Sequence, residues 1–242
     1  MNRINYIDKL KGIAISLVVI GHVIIFSLHK TFCSDILLYV ISSFHMSLFA
    51  FLSGIVFNSK CLLNQKLIKK HSARLLLPFL FFGLLYTLCF GHSFNDFIFD
   101  NFKLGYWYLL SIFLILMLAY IFNYAFTYLW HDIVGLFFIY SLFYVLTKLL
   151  SIDLIKLFSI DLTMSLLPGF FTGYIINKYS LYSKIINYRF LIIALIIFSA
   201  ILIGNYIYRF SNLPIDIFTS LLGTYIIFSL ISVPLKWDEL NN

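Results

Sequence analysis

Two histidines and a lysine stand where an apolar chain can least easily keep them. His22 interrupts the apolar run 12–28, which is otherwise broken by Ser16 and, near its end, Ser27. His45 sits near the middle of a second run, 36–57, among Ser42, Ser43, Ser47 and Ser53. An ionisable side chain at membrane depth is rare enough that function is the default reading, provided a partner can be named. For His22 the candidate is Lys11. Eleven residues return a helix to within about 20° of its starting face, so Lys11, Val18, His22 and His29 share one stripe, with Lys11 about 16 Å from His22 along the axis. A neutral imidazole is a good general base. Such a stripe therefore carries a base at depth and a cation at its mouth. The structural alternative is a pair of histidines bonded to backbone carbonyls or serines of neighbouring helices. A third reading makes His22 and His45 the proton relay of a small secondary transporter.

A second group of chemically capable residues follows the second run. The segment NSKCLLNQKLIKKHSAR, residues 58–74, holds Lys60, Lys66, Lys69, Lys70 and Arg74 and no acid. Lys69, Lys70, His71 and Arg74 offer point charges and a planar fork suited to phosphates. The same residues also read as a simple topology signal. Asp8 either caps the start of the first helix or pairs with Lys11 one turn away.

These residues belong to a chain built for a membrane. Of its 242 residues, 62% are hydrophobic and only 11% charged, and the mean hydropathy is +0.98. A soluble domain carries more charge and less apolar content. Aromatics at 20%, mostly Phe and Tyr, fit lipid-facing and interfacial positions and give no nucleic-acid platform. The net charge of +7 follows the side on which the basic residues fall. Cys33, Cys61 and Cys89 are too scattered for a disulfide scaffold or a zinc site, although a Cys33–Cys89 bridge at the outer face is conceivable.

Hydropathy predicts an all-α, polytopic helical bundle of about eight spans, residues 12–28, 36–57, 75–91, 106–126, 133–150, 162–177, 190–208 and 217–233. Arg3, Lys9 and Lys11 before the first span, the basic 58–74 segment, and Lys178, Lys184 and Arg189 after the sixth all fall on one side. The positive-inside rule makes that side the cytoplasm, with both termini in it. Lys30, Lys103, Lys148, Lys156 and Arg209 are left outside, with Lys148 free to snorkel. Pro168, Gly169 and Gly173 suggest that the sixth span is kinked or broken beside a cavity. Tyr106, Trp107 and Tyr108 read as an interfacial belt, with sugar stacking as the alternative.

Four segments, in order, carry a family resemblance. YIDKLKGIAISLVVIGH resembles the first-helix signature of membrane acyltransferase family 3, in which a basic residue, usually arginine, precedes a histidine by ten intervening residues. Lys11 and His22 occupy those positions. FHMSLFAFLSG is similar to the second-helix segment, with Ser47 where proline is usual. RLLLPF at Arg74 and WYLLSIF at Trp107 resemble the starts of the third and fourth helices. Three residues before Arg74, where the family commonly has a second arginine, this chain has His71 with Lys70 adjacent.

The resemblance implies an integral-membrane O-acyltransferase of a bacterial inner membrane. The acyl group, most often acetyl from acetyl-CoA on the cytoplasmic side, passes to a hydroxyl of a cell-surface polysaccharide or its lipid-linked precursor. Catalytic roles then fall to His22 as base and to His45, which orients the acceptor or stabilises the oxyanion. Lys11, Arg74, Lys70 and His71 face the phosphates of CoA. A covalent acyl-histidine relay is equally compatible, no metal is called for, and the partners are membrane lipid, acyl-CoA and a carbohydrate. Residues 1–242 are expected to form a single membrane acyltransferase domain lacking the family's last spans, which leaves a non-catalytic membrane fragment as a further reading.

Overall fold

The computed structural model describes residues 5–29, 35–58, 64–125, 128–208 and 212–240. Arg3, Lys30, Cys33, Lys60, Cys61 and Arg209 lie outside the described residues, so the expected Cys33–Cys89 bridge does too; Cys89 itself is exposed. Among these residues eight long helices follow one another: α1 (Asn5–Phe26), α2 (Ile36–Ile55), α3 (Gln65–Phe90), α4 (Trp107–Ala125), α5 (Leu129–Leu149), α6 (Ile160–Lys178), α7 (Tyr188–Tyr208) and α8 (Leu213–Leu240). Short helical turns fill three of the connections, and no strand occurs among the described residues. The protein is an all-α, multi-helical membrane bundle. Among the described residues, seven helices are long and apolar enough to cross a bilayer, all of the eight but α6. Two compact units divide the chain, Met1–Val56 with Pro168–Asn242, and Phe57–Leu167.

In the first unit α2 is the central helix. Its start is fixed by Asp35, whose carboxylate accepts the amide of Leu38 at 3.0 Å. α1 meets it along a seam of Ile7, Leu10, Ala14, Gly21 and Ile24, all buried, with half-buried Leu17 completing the spacing of three and four. That spacing is the left-handed knobs-into-holes pattern. On another side of α2, aromatic edges seat the last helices: Phe44 against Phe198 at 6.1 Å and Phe51 against Phe228 at 5.3 Å, both near perpendicular.

The expectation of a broken sixth span is corrected. α6 runs unbroken through Pro168, and its glycines make contact with another helix instead of opening a cavity. A Cβ placed on Gly173 would lie 2.1 Å from the Phe51 carbonyl oxygen, and one on Gly54 would lie 2.0 Å from that of Phe170. Gly169 faces Ser47 in the same way. The Gly-x-x-x-Gly spacing thus lets two backbones touch, the usual route to helix association where lipid removes the hydrophobic drive. Phe170, Phe171 and Tyr174 on α6 are essentially inaccessible. A helix enclosed by protein has less need of the apolarity that its neighbours show.

In the second unit the boundaries shift for identifiable reasons. α3 starts at Gln65, ten residues before the expected 75, because the Asn64 side chain caps it by accepting the Leu67 amide at 2.9 Å. From Gln65 onward the basic segment is therefore helical, not a loop. A π-helical stretch, Ser72–Leu76, joins its two parts. Pro78 lies just beyond, and a ring that removes a donor and crowds the carbonyl four residues back is eased by widening the turn. α5 likewise begins at Leu129, so Trp130, His131 and Asp132 form its first turn. Trp107, expected in an interfacial belt, is buried against Phe102 and Tyr108.

Lys103 is the other departure. Read as an exposed loop cation, it is 1% exposed, and with Leu104 and Gly105 it forms three successive residues of positive φ. Its Nζ donates to the carbonyls of Ile98 and of Lys156, the latter at 2.6 Å. Burial pushes its pKa down to about 8, opposed in part by the Asp100 carboxylate. A neutral amine still has two N–H groups for two carbonyls. Because folding lowers this pKa, the unfolded chain binds more protons between about pH 8 and the ordinary lysine value, so this group makes stability rise with pH across that window and costs most below it. Thermal unfolding of wild type and Lys103→Met at pH 8 and pH 10 checks this: the wild-type midpoint should gain on the variant at the higher pH.

Candidate active site

α1 carries the first half of the site. The stripe Asp8, Lys11, Ile15, Val18, His22 runs beside the buried seam, and Lys11 and His22 are both exposed. The helix has already begun by Asn5, so Asp8 lies inside its first turns and not at the N-cap position. It pairs loosely with Lys11, Nζ to Oδ1 at 3.9 Å, with both groups largely exposed. Such a pair contributes little to stability. Its use is to hold the ammonium near the end of the helix.

His22 is fixed by its own helix. Its Nδ1 lies 2.9 Å from the carbonyl oxygen of Val18, one turn back. A carbonyl only accepts, so Nδ1 donates and, in the neutral ring, Nε2 carries the lone pair. Phe26 flanks the ring at 5.7 Å. His45 on α2 repeats the arrangement: Nδ1 donates to the Ile41 carbonyl at 2.9 Å, and the side chain is half-buried. The bonds expected to serines or carbonyls of neighbouring helices are thus made within each histidine's own helix. α1 and α2 pack against each other, so His22 and His45 stand on adjacent helices. Both members of the predicted pair therefore belong to one unit.

The basic set belongs to the second unit and is held by a different device. Lys70 and Arg74 are exposed on either side of the start of the π-helical stretch, and His71, half-buried, precedes it. His71 Nε2 meets the Tyr120 hydroxyl of α4 at 3.1 Å, and the Phe57 ring packs against that tyrosine at 4.6 Å. The insertion of an extra residue per turn rotates Arg74 relative to Lys70 from where a regular helix would put it. π-helical turns of this kind concentrate at functional sites. Tyr120 went unnoticed in the sequence because it is one of 17 tyrosines, most at span ends; the only signal was a phenol within reach of the inner end of the expected fourth span. Among the described residues, no three His, Cys, Asp or Glu gather as metal ligands.

The family model of an acyltransferase domain matches residues 4–239, nearly the whole chain and both units. The protein belongs to acyltransferase family 3. No curated protein and no solved structure matches it. Family membership and seven apolar helices together make this acyltransferase a multi-pass membrane protein whose substrates are an acyl donor and an acyl acceptor. Within it, the match spans the histidine pair, the π-helical basic set and the α2–α6 contact alike.

Proposed function

We propose that this family 3 member transfers an acyl group, acetyl from acetyl-CoA, to a hydroxyl of a surface carbohydrate or its lipid-linked precursor in the bacterial inner membrane, with His22 as general base. The observation that carries this reading is the Nδ1 bond of His22 to Val18, which leaves Nε2 as an acceptor on the exposed side of α1. A sugar hydroxyl is a weak nucleophile and needs such a base. As its oxygen attacks the thioester carbonyl carbon, the hydroxyl proton passes to Nε2. Collapse of the tetrahedral intermediate expels the CoA thiolate, which takes the proton back from the imidazolium. His45, also an acceptor at Nε2, suits orientation of the incoming hydroxyl better than stabilisation of an oxyanion. Lys11, Lys70, His71 and Arg74 supply charge for the CoA phosphates.

Release of free CoA from acetyl-CoA by the protein in nanodiscs supplied with a saccharide acceptor, wild type against His22→Ala, tests the assignment. His22-dependent release supports it. Proton-coupled flux of a solute without thioester consumption would instead make the histidines a transport relay. The donor side has its own test in steady-state kinetics. Arg74→Ala should raise KM for acetyl-CoA roughly ten- to a hundredfold, as loss of a charge-assisted bond would, and Tyr120→Phe only about two- to tenfold. An unchanged KM in Arg74→Ala would return the basic segment to topology alone.

A further inference from the structure

The first unit contains two adjoining concavities that the histidine pair does not use. One is a chamber of about 190 Å³ walled by Tyr39, Ser42, Ser43, Asn205, Asp216 and Thr219 over Leu202. The other, of about 480 Å³, is an open and mostly apolar groove along Ile201, Gly204, Ile215 and Phe218. Asn205 belongs to both walls. The chamber lies among the first turns of α2 and α8 and the last turns of α7, and the groove between α7 and α8, at the end that the charge pattern puts outside.

The hydrogen bonding of the chamber selects its ligand. Ser42 donates to the Tyr39 carbonyl at 2.9 Å, Ser43 to that of Val40 at 2.8 Å and Thr219 to that of Ile215 at 2.7 Å. With their protons committed to their own helices, these three hydroxyls face a ligand as acceptors. Asn205 adds an amide that both donates and accepts. A wall of acceptors suits a ligand with several O–H donors. The volume is that of about six waters at roughly 30 Å³ each, room for one sugar ring. His45 follows Ser42 by three residues, one turn deeper in α2. The apolar groove continues from the same asparagine and is open, as a site for a hydrocarbon chain in a bilayer must be.

We infer that the chamber and the groove hold the sugar and the hydrocarbon chain of one membrane-borne glycolipid, the acyl acceptor. This rests on the carbohydrate-acylation reading and narrows it: the hydroxyl reaches His45 and His22 on a lipid-linked saccharide and not on a free polysaccharide. Polar and apolar walls joined at one residue form an amphiphile's site.

The test is photolabelling in phospholipid nanodiscs with an alkyl glucoside bearing a diazirine in its chain, mapped by mass spectrometry. Label should fall on residues 201–205 and 212–218. Excess octyl glucoside should suppress it about tenfold, and octyl phosphocholine at the same concentration should leave it within about twofold. Asn205→Leu and the near-isosteric Thr219→Val should each lower labelling several-fold, as loss of one or two hydrogen bonds would; Thr219→Val guards against an Asn205 variant that misfolds. Equal suppression by glucoside and phosphocholine, or labelling indifferent to both variants, overturns the inference and leaves an ordinary lipid groove. His22→Ala should label like wild type. Selective labelling in a protein that releases no CoA would discard the acyl-transfer reading and keep the site, whereas CoA release with unselective labelling would discard the site alone.

Discussion

His22→Ala should lower acyl transfer by a factor on the order of 10² to 10⁴, the range that a positioned general base contributes, while leaving the protein folded. The second half of that expectation follows from position. His22 is exposed and is bonded to its own helix through Val18, so its removal opens no void in the α1–α2 seam. The loss should therefore appear in kcat, with chromatographic behaviour and melting temperature close to wild type. His45→Ala should act on KM for the acceptor more than on kcat, since its role is orientation. A single-turnover experiment without acceptor distinguishes a covalent relay from direct transfer. An acyl-histidine relay releases one equivalent of CoA as a burst and retains the labelled acyl group, whereas direct transfer releases none. Full activity in a well-folded His22→Ala protein would refute the assignment of the base.

Gly173→Ala should be, with Gly54→Ala on the facing helix, among the most damaging single-methyl changes in the protein. The new Cβ would fall 2.1 Å from the Phe51 carbonyl oxygen and 3.1 Å from the Ile55 amide nitrogen. Both are backbone atoms, so no rotamer change relieves the overlap and the two helices must separate. Separation also lifts Gly54 from the Phe170 carbonyl, which breaks the contact at both ends. Overpacking of this kind costs about 1–3 kcal/mol, occasionally more, read as a lowered unfolding temperature in detergent or nanodiscs. Gly12→Ala is the matched control. Nothing lies within 4 Å of a Cβ there, so the change should stay within about 1 kcal/mol and, by helix propensity, favour the helix. Equal melting temperatures for the two variants would remove the α2–α6 contact as a source of stability.

The long periodic features were legible in the sequence, and the features set by contact between helices were not. Seven spans could be placed because an apolar run of bilayer length seldom folds as anything but a membrane helix. The stripe from Lys11 to His22 could be drawn because it depends only on one continuous helix. Pro168, Gly169 and Gly173 misled because composition alone cannot distinguish a helix that breaks from one that touches its neighbour; the partner, Gly54, is more than a hundred residues away. Lys103 misled for a similar reason. A lysine among loop residues reads as solvated, and only the positions of the Ile98 and Lys156 carbonyls make it a buried donor. For the candidate site, the types of residue were legible and their hydrogen-bonding partners were not. That Nδ1 of each histidine is occupied, and which atom is thereby left to act, follows from coordinates alone.

The first unit is assembled from both ends of the chain, Met1–Val56 and Pro168–Asn242, which puts a delay into its biogenesis. At about 5–20 residues per second, the ribosome needs on the order of ten seconds after α2 leaves it to deliver the helices that cover α2. During that interval Gly54, Ser47 and the Phe44 and Phe51 rings face lipid or whatever chaperone guards them. α6, the long helix that falls short of the apolarity of a membrane span, then arrives with Asp161 at one end and Lys178 at the other. It enters a bilayer in which its docking partner is already waiting, so its insertion is driven by the protein already there more than by its own hydropathy.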